Sequence, residues 1–178
     1  MAKAKCHFCG HENIVGSDHC EKCLHSLTFK DIPQPGQDKL QKLIMNERVA
    51  DFISKTPPIM VKADTSMKEV VDRMHALPTK GCVLICDDKK HLIGILSIRD
   101  ILLKVAGTVK DLAGCPVSKI MTKNPEFLDK DTPLSFALHK MSIGKFRHVP
   151  VTDNGIPIGV VSTRDIIEYF FKKKNKKD

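Results

Sequence analysis

Gly94-Ile-Leu-Ser-Ile-Arg-Asp-Ile101 and Gly159-Val-Val-Ser-Thr-Arg-Asp-Ile166 stand 65 positions apart and agree at five of eight positions. Each begins as an apolar run and ends in Ser-x-Arg-Asp, the pattern of a strand that gives way to a helix at the serine. The surroundings repeat too. In the first copy the pattern predicts a strand over 59–61, a helix over 67–77 led in by Asp64-Thr-Ser66, strands over 82–86 and 92–97, and a helix over 99–106. In the second copy strands are expected over 126–128, 148–152 and 158–162, and helices over 134–142 and 164–171. Asn154-Gly155 between the last two strands signals a two-residue hairpin turn. The same order of elements twice points to a duplication. Each copy is a β-α-β-β-α unit too thin to cover its own sheet, so the expected fold class is α+β with two copies sharing a core.

The octapeptide carries chemistry as well as structure. Its glycine admits a close approach to the backbone. Its serine hydroxyl sits beside the free amides of a helix start, a ready anion site, and the arginine adds a fixed positive charge. The first-turn aspartate can accept two vicinal hydroxyls. Phosphate plus diol describes a ribonucleotide. Helix capping alone would account for Ser97 and Asp100, or for Ser162 and Asp165, in any single copy. The same serine, arginine and aspartate in both copies favour a ligand.

The pattern Gly-h-h-Ser/Thr-x-x-Asp, where h is apolar, together with Arg147-His-Val-Pro-Val151, resembles the CBS domain, named after cystathionine beta-synthase. The resemblance runs from Phe52 to Phe171, and the tandem pair resembles a Bateman module. It implies two repeats packed as a pseudo-two-fold pair, a homodimer joined through helices of the repeats, and AMP, ADP, ATP or S-adenosylmethionine bound in clefts between repeats. By that resemblance Asp100 and Asp165 hold ribose hydroxyls, and Ser97 and Ser162 hold phosphate. Adenine is placed at Ser54 and Ile59 with Cys82 and Val83 in the first copy, and at Thr122 and Phe127 with Val149 and Pro150 in the second. Thr163 lies within the second motif. Arg99, Arg147 and Arg164, with Lys145, are candidates to surround a polyphosphate, and His148 reads as a core or rim histidine. The first copy has Cys82-Val-Leu-Ile-Cys86 with no proline, so the Asp165 site is expected to be the tighter.

Cys6-His-Phe-Cys9-Gly10 and Cys20-Glu-Lys-Cys23 are two C-x-x-C hooks ten residues apart. Two thiolates from each turn close a tetrahedron around one structural zinc ion, and Gly10 supplies the unusual backbone angle after the first pair. The segment resembles zinc ribbons, with a spacer shorter than the ~15 to 20 residues common there. His7, His11, His19 and His25 flank the hooks as alternative ligands, and a redox dithiol is the rival reading.

The chain therefore divides into a zinc-ribbon-like knuckle at 1–29, a linker at 30–38, a helix plus first repeat at 39–110, a second repeat at 111–171, and a basic disordered tail at 172–178. Leu40, Leu43, Ile44, Val49, Phe52 and Ile53 mark that amphipathic helix, and Thr56-Pro-Pro58 stops it.

Composition limits the function. The net charge of +8 within 178 residues invites nucleic acid as a partner, but five lysines crowd into the last seven positions. Aromatic residues are 5% of the chain with no tryptophan, which counts against base stacking. No run approaches a membrane span, and Met-Ala-Lys-Ala-Lys-Cys lacks the apolar core of a secretory signal, so a cytoplasmic location is expected. No Ser-His-Asp order, Walker loop or supported carboxylate pair is present, and no enzyme is expected. The leading expectation is a regulatory protein that senses an adenosine-containing small molecule, with the knuckle contacting a protein partner. The alternative is a nucleic-acid-binding zinc ribbon in which the repeats form a dimerisation scaffold.

Overall fold

The computed structural model describes residues 3–6, 8–14, 17, 19–25, 27, 47–54, 56–77 and 81–174. It resolves into two compact units. One comprises Thr56–Pro125 with Ile156–Ile158; the other comprises Met1–Lys55, Glu126–Gly155 and Gly159–Asp178. They are called here the first-copy and second-copy units.

The knuckle belongs to the second-copy unit. Strands β1 (Lys3–Lys5) and β2 (Glu12–Ile14) pair antiparallel, and the first cysteine hook lies between them. Buried Asn13 ties the hooks together, donating to the His11 carbonyl at 2.9 Å and accepting from the Glu21 amide at 2.9 Å.

In the first-copy unit β3 (Ile59–Lys62) leads through Ser66 into helix α1 (Met67–Ala76). The Ser66 hydroxyl accepts from the Glu69 amide at 3.2 Å, an N-cap. Met67, Val70 and Met74 form the buried stripe of α1. Strand β4 (Cys82–Cys86) is buried at all five residues, which is why it reads as a continuous apolar run without alternation. It pairs parallel with β3 and antiparallel with β5 (Leu92–Ser97). Helix α2 (Ile98–Asp100) follows and runs on as a π-helical turn, Ile101–Val105. The sheet is completed by β6 (Thr122–Lys123), with Thr122 opposite Ile95.

In the second-copy unit β7 (Leu128–Asp129) pairs parallel with β8 (His148–Asp153), which neighbours β9 (Ile156–Ser162). Asn154 and Gly155 have φ of 51° and 83°, the left-handed pair that a type I′ hairpin demands. Helices α3 (Leu134–Gly144) and α4 (Thr163–Lys174) cover this sheet. The core gathers Leu128, Leu134, Ala137, Val149, Val151, Val161 and Ile166 around Val49 and Phe52.

Three observations differ from the sequence reading. The lead-in segments pack according to burial and not according to copy. Ile53 lies over Gly159 in the second-copy unit, whereas Met121 lies over Gly94 and Val117 fills the first-copy core. A Cβ at either glycine would collide with the side chain above it, so the close approach these glycines permit is made by chain. The last helix runs through Lys174, three residues into the segment read as a disordered tail. Lys172 pairs with Glu168 at 2.7 Å one turn back, and Tyr169 and Phe170 anchor the helix on Phe52. Finally, only its end, a 3-10 turn at Val49–Phe52, represents the expected helix from Lys39, since residues 39–46 lie outside those described, as does the linker at 30–38.

Candidate metal centre and ligand site

The two hooks fold alike. In the first, the Gly10 amide donates to the Cys6 carbonyl at 2.9 Å and the Cys6 amide to the His11 carbonyl at 2.7 Å. In the second, the Leu24 amide donates to the Cys20 carbonyl at 2.8 Å and the Cys20 amide to the His25 carbonyl at 2.8 Å. Gly10 has φ of 73°, as expected; Leu24 adopts the same left-handed geometry at 57° without being glycine.

The sulfurs of Cys6, Cys9, Cys20 and Cys23 all lie within 4.8 Å of one another. Cys6 Sγ is 3.7 Å from Cys23 Sγ, and Cys9 Sγ is 3.6 Å from Cys20 Sγ. The edge of a tetrahedron with ~2.3 Å metal–sulfur bonds is about 3.8 Å. These contacts run between hooks, so the donor set fits one tetrahedral thiophilic ion better than a dithiol within one hook. Burial pushes the Cys6 thiol up to about 11, and raises Cys23 as well. Burial acts the same way at Cys20, but amide donors at Cys23 and Lys22 outweigh it and bring the thiol down to about 6. Among the described residues the cluster that could hold an ion consists of these four cysteines, and His11, His19 and His25 are not part of it.

The knuckle docks on the second copy. Phe8, between the first two cysteines, stacks on His25 with centroids 4.6 Å apart and meets Phe127 at 4.4 Å. Lys140 of α3 lies with Nζ 5.1 Å from the Phe8 ring centroid, donates to His25 Nε2 at 3.1 Å and pairs with Glu126 at 2.6 Å. Gly10 comes so close to Asp129 that an added Cβ would meet its carboxylate at 3.2 Å. No periodicity signals these contacts. The sequence reading gave Phe127 to adenine and left Phe8 unassigned.

At each motif the serine and aspartate close on one another. Ser97 donates through its amide at 2.9 Å and its hydroxyl at 2.6 Å to Asp100 Oδ2, and the Asp100 amide returns a bond to Ser97 Oγ at 3.3 Å. Ser162 and Asp165 repeat this at 2.9, 2.6 and 3.2 Å. Both are capping boxes closed by aspartate. Each keeps one carboxylate oxygen outside the box, and here the copies part. Asp100 Oδ1 pairs with Lys104 at 2.9 Å, and Lys104 also donates to the Ile120 carbonyl at 3.3 Å. Burial pushes the Asp100 carboxyl up, and the bonds from Lys104 and Ser97 outweigh it, leaving it below its ordinary value. The position matching Lys104 is Tyr169, whose ring packs on Phe52 at 4.4 Å, and Asp165 has no ion pair among the described residues.

Arg99, Arg147 and Arg164 are exposed and without ion pairs among the described residues, and the Arg147 carbonyl accepts from the Thr163 amide at 3.2 Å. Lys145 instead closes α3 in the left-handed conformation, φ 54°. His148 is held below its ordinary value by burial and by Arg147, against the pull of Asp165.

The residues expected around adenine are distributed over both units, and several of their side chains are core. Val83 and Val149 are 0% exposed, so their side chains are core and only their backbone can meet a ligand. Ile59 is buried beside Val83 as its strand partner, and Pro150 and Cys82 are buried too. Thr122, grouped with Phe127 in the sequence, belongs to the first-copy sheet, while Ser54 belongs to the second-copy unit. The lead-in segments carry both across, for the packing reason given above.

The CBS domain model matches residues 49–107 and 117–172. The chain belongs to the CBS-domain family. The CBS domain-containing protein CBSCBSPB5 of Arabidopsis thaliana is 40% identical over 115 residues, 65% of this chain but 21% of that protein. The chain thus spans about a fifth of the length of such plant relatives. An uncharacterised 17.7 kDa protein of Acidianus ambivalens is 33% identical, covering 64% of this chain and 68% of its own length. Among solved structures, a CBS domain protein of Pyrobaculum aerophilum complexed with AMP superposes with a TM-score of 0.60 at 30% identity, covering 67% of this chain and 89% of its own. The CBS domain pair of protein MJ0100, in complex with 5′-methylthioadenosine and S-adenosyl-L-methionine, gives a TM-score of 0.61 at 27% identity, covering 71% and 98%. The two CBS repeats follow the knuckle, and no helix among the described residues is long and apolar enough to cross a membrane.

Proposed function

We propose that this CBS pair is a regulatory sensor that binds an adenosine-containing nucleotide through its two Ser-x-Arg-Asp motifs, without turning it over, in the cytoplasm. The carrying observation is the pair of matching serine–aspartate boxes with arginines beside them that make no ion pair among the described residues, in a family that includes solved structures complexed with AMP and with S-adenosyl-L-methionine. Ser97 and Ser162, with Arg99, Thr163, Arg164 and Arg147, are assigned to phosphate; Asp100 and Asp165 to ribose; and the backbone of Val83, Val149 and Pro150, with Ser54, Ile59, Thr122 and Phe127, to adenine. Because Lys104 neutralises the outward oxygen of Asp100, the Asp165 motif is the stronger site. Cys6, Cys9, Cys20 and Cys23 hold zinc, whose role is structural because four protein thiolates leave no position for a substrate. Exposed Leu102 and Ile167, 65 positions apart on the helices after the motifs, support self-association through those helices. Calorimetric titration with AMP, ATP, S-adenosylmethionine and GTP tests the reading: adenosine compounds should bind and GTP should not. Equal heats from GTP and AMP would set it aside.

A further inference from the structure

We infer that the metal-loaded knuckle is a clamp on the second CBS repeat, so that metal occupancy and the order of residues 126–144 are one coupled equilibrium. Three observations carry this. The side chain of Lys140 is only 11% exposed, yet its ammonium is satisfied by Glu126, by His25 and by the face of Phe8, two of the three being knuckle residues. An ammonium that far from water needs those partners. Phe8 sits between Cys6 and Cys9, and its own amide donates to Cys6 Sγ at 3.4 Å, so its placement on Phe127 is fixed by the coordinating turn. Gly10, which closes that turn, abuts Asp129 at the end of β7.

A small cysteine turn has too little apolar area to hold its shape without metal. Loss of metal therefore withdraws Phe8, His25 and Gly10 together. What remains is a two-residue strand, an uncovered Phe127 and a Lys140 lacking two partners. Linkage makes the effect reciprocal: whatever docking adds to the order of residues 126–144, the docked repeat returns as tighter metal binding by the same factor. The first-copy unit, whose core is built from other residues, has no part in it. The coupling needs no nucleotide. Its consequence, that metal loss weakens the Asp165 site, rests on the nucleotide reading above.

The test is competition for zinc by a chromogenic chelator in wild type, Phe8→Ala and Lys140→Met, with amide exchange read before and after metal removal. All four thiols remain in both variants, and Lys140→Met lies outside the knuckle. Phe8→Ala should hold zinc about tenfold less tightly and Lys140→Met severalfold less. Metal removal from wild type should speed exchange over 126–144 and leave 82–97 unchanged. Wild-type zinc retention in both variants, or unchanged exchange over 126–144 in the metal-free protein, overturns the clamp. A protein that behaves as a clamp yet binds no AMP contradicts the nucleotide reading instead.

Discussion

The two CBS repeats carry the same serine, arginine and aspartate, with hydrogen bonds matching to within a tenth of an ångström, yet their neighbours differ. In the first, the outward oxygen of Asp100 is tied to Lys104, and the helix slips into a π turn that ends at Val105, two residues before Gly107 with φ 76°. In the second, an aromatic takes the place of that lysine, helix α4 runs on undistorted over Phe52, and a cysteine knuckle docks at the start of the repeat. A shared motif sets the shape of a site. Residues outside it set what the site can hold.

The largest effect expected to sharpen this contrast is removal of the metal. A structural zinc site of this kind contributes on the order of 10 to 16 kcal/mol to the order of its segment. Cys20→Ser should take zinc from about one per chain to substoichiometric, by elemental analysis, and loosen the second-copy unit while sparing the first. Equal loosening of both units would erase the asymmetry.

Next is Asp165→Ala. Loss of charge-assisted bonds to ribose, about 1.5 to 3 kcal/mol, should weaken AMP roughly tenfold to a hundredfold, and Asp100→Ala should cost less. Lys104→Met addresses the reason for the difference. An ion pair this exposed is worth at most ~1 kcal/mol, so the variant should strengthen the first site by no more than about fivefold. A larger gain would mean that Lys104 blocks the site sterically.

Smaller effects remain. His148 is held below its ordinary value, so as pH falls through about 6.5 the unfolded chain takes a proton that the folded chain resists. Stability should fall below that pH, and His148→Gln should flatten the decline measured by urea melts. Leu24 spends a left-handed φ of 57° on a side chain that is 76% exposed. Leu24→Gly should relieve strain and add up to ~1 kcal/mol to knuckle stability, seen as slower zinc loss.

What the sequence made legible was local. The octapeptides fall at strand–helix junctions because Ser-x-x-Asp is a cap signal in its own right, and Asn154-Gly155 makes the expected turn because few other pairs accept its geometry. The cysteine spacing led to the four-sulfur cluster for the same reason. What was hidden depends on distant partners. Phe8 on Phe127 and Ile53 over Gly159 leave no periodic trace, and Leu24 looks like any apolar residue until its amide's bond to the Cys20 carbonyl is known. Nor does the sequence show that Ser54 and Thr122 each lie in the other copy's unit.

The measurement closest to the central claim is AMP titration calorimetry of zinc-loaded wild type, Asp100→Ala, Asp165→Ala and the double variant, each shown to be folded. The account predicts a strong site that survives Asp100→Ala, weakens roughly tenfold to a hundredfold in Asp165→Ala, and leaves the double variant weakest. Equal affinity in wild type and the double variant would contradict it, and would make both serine–aspartate pairs helix caps and nothing more.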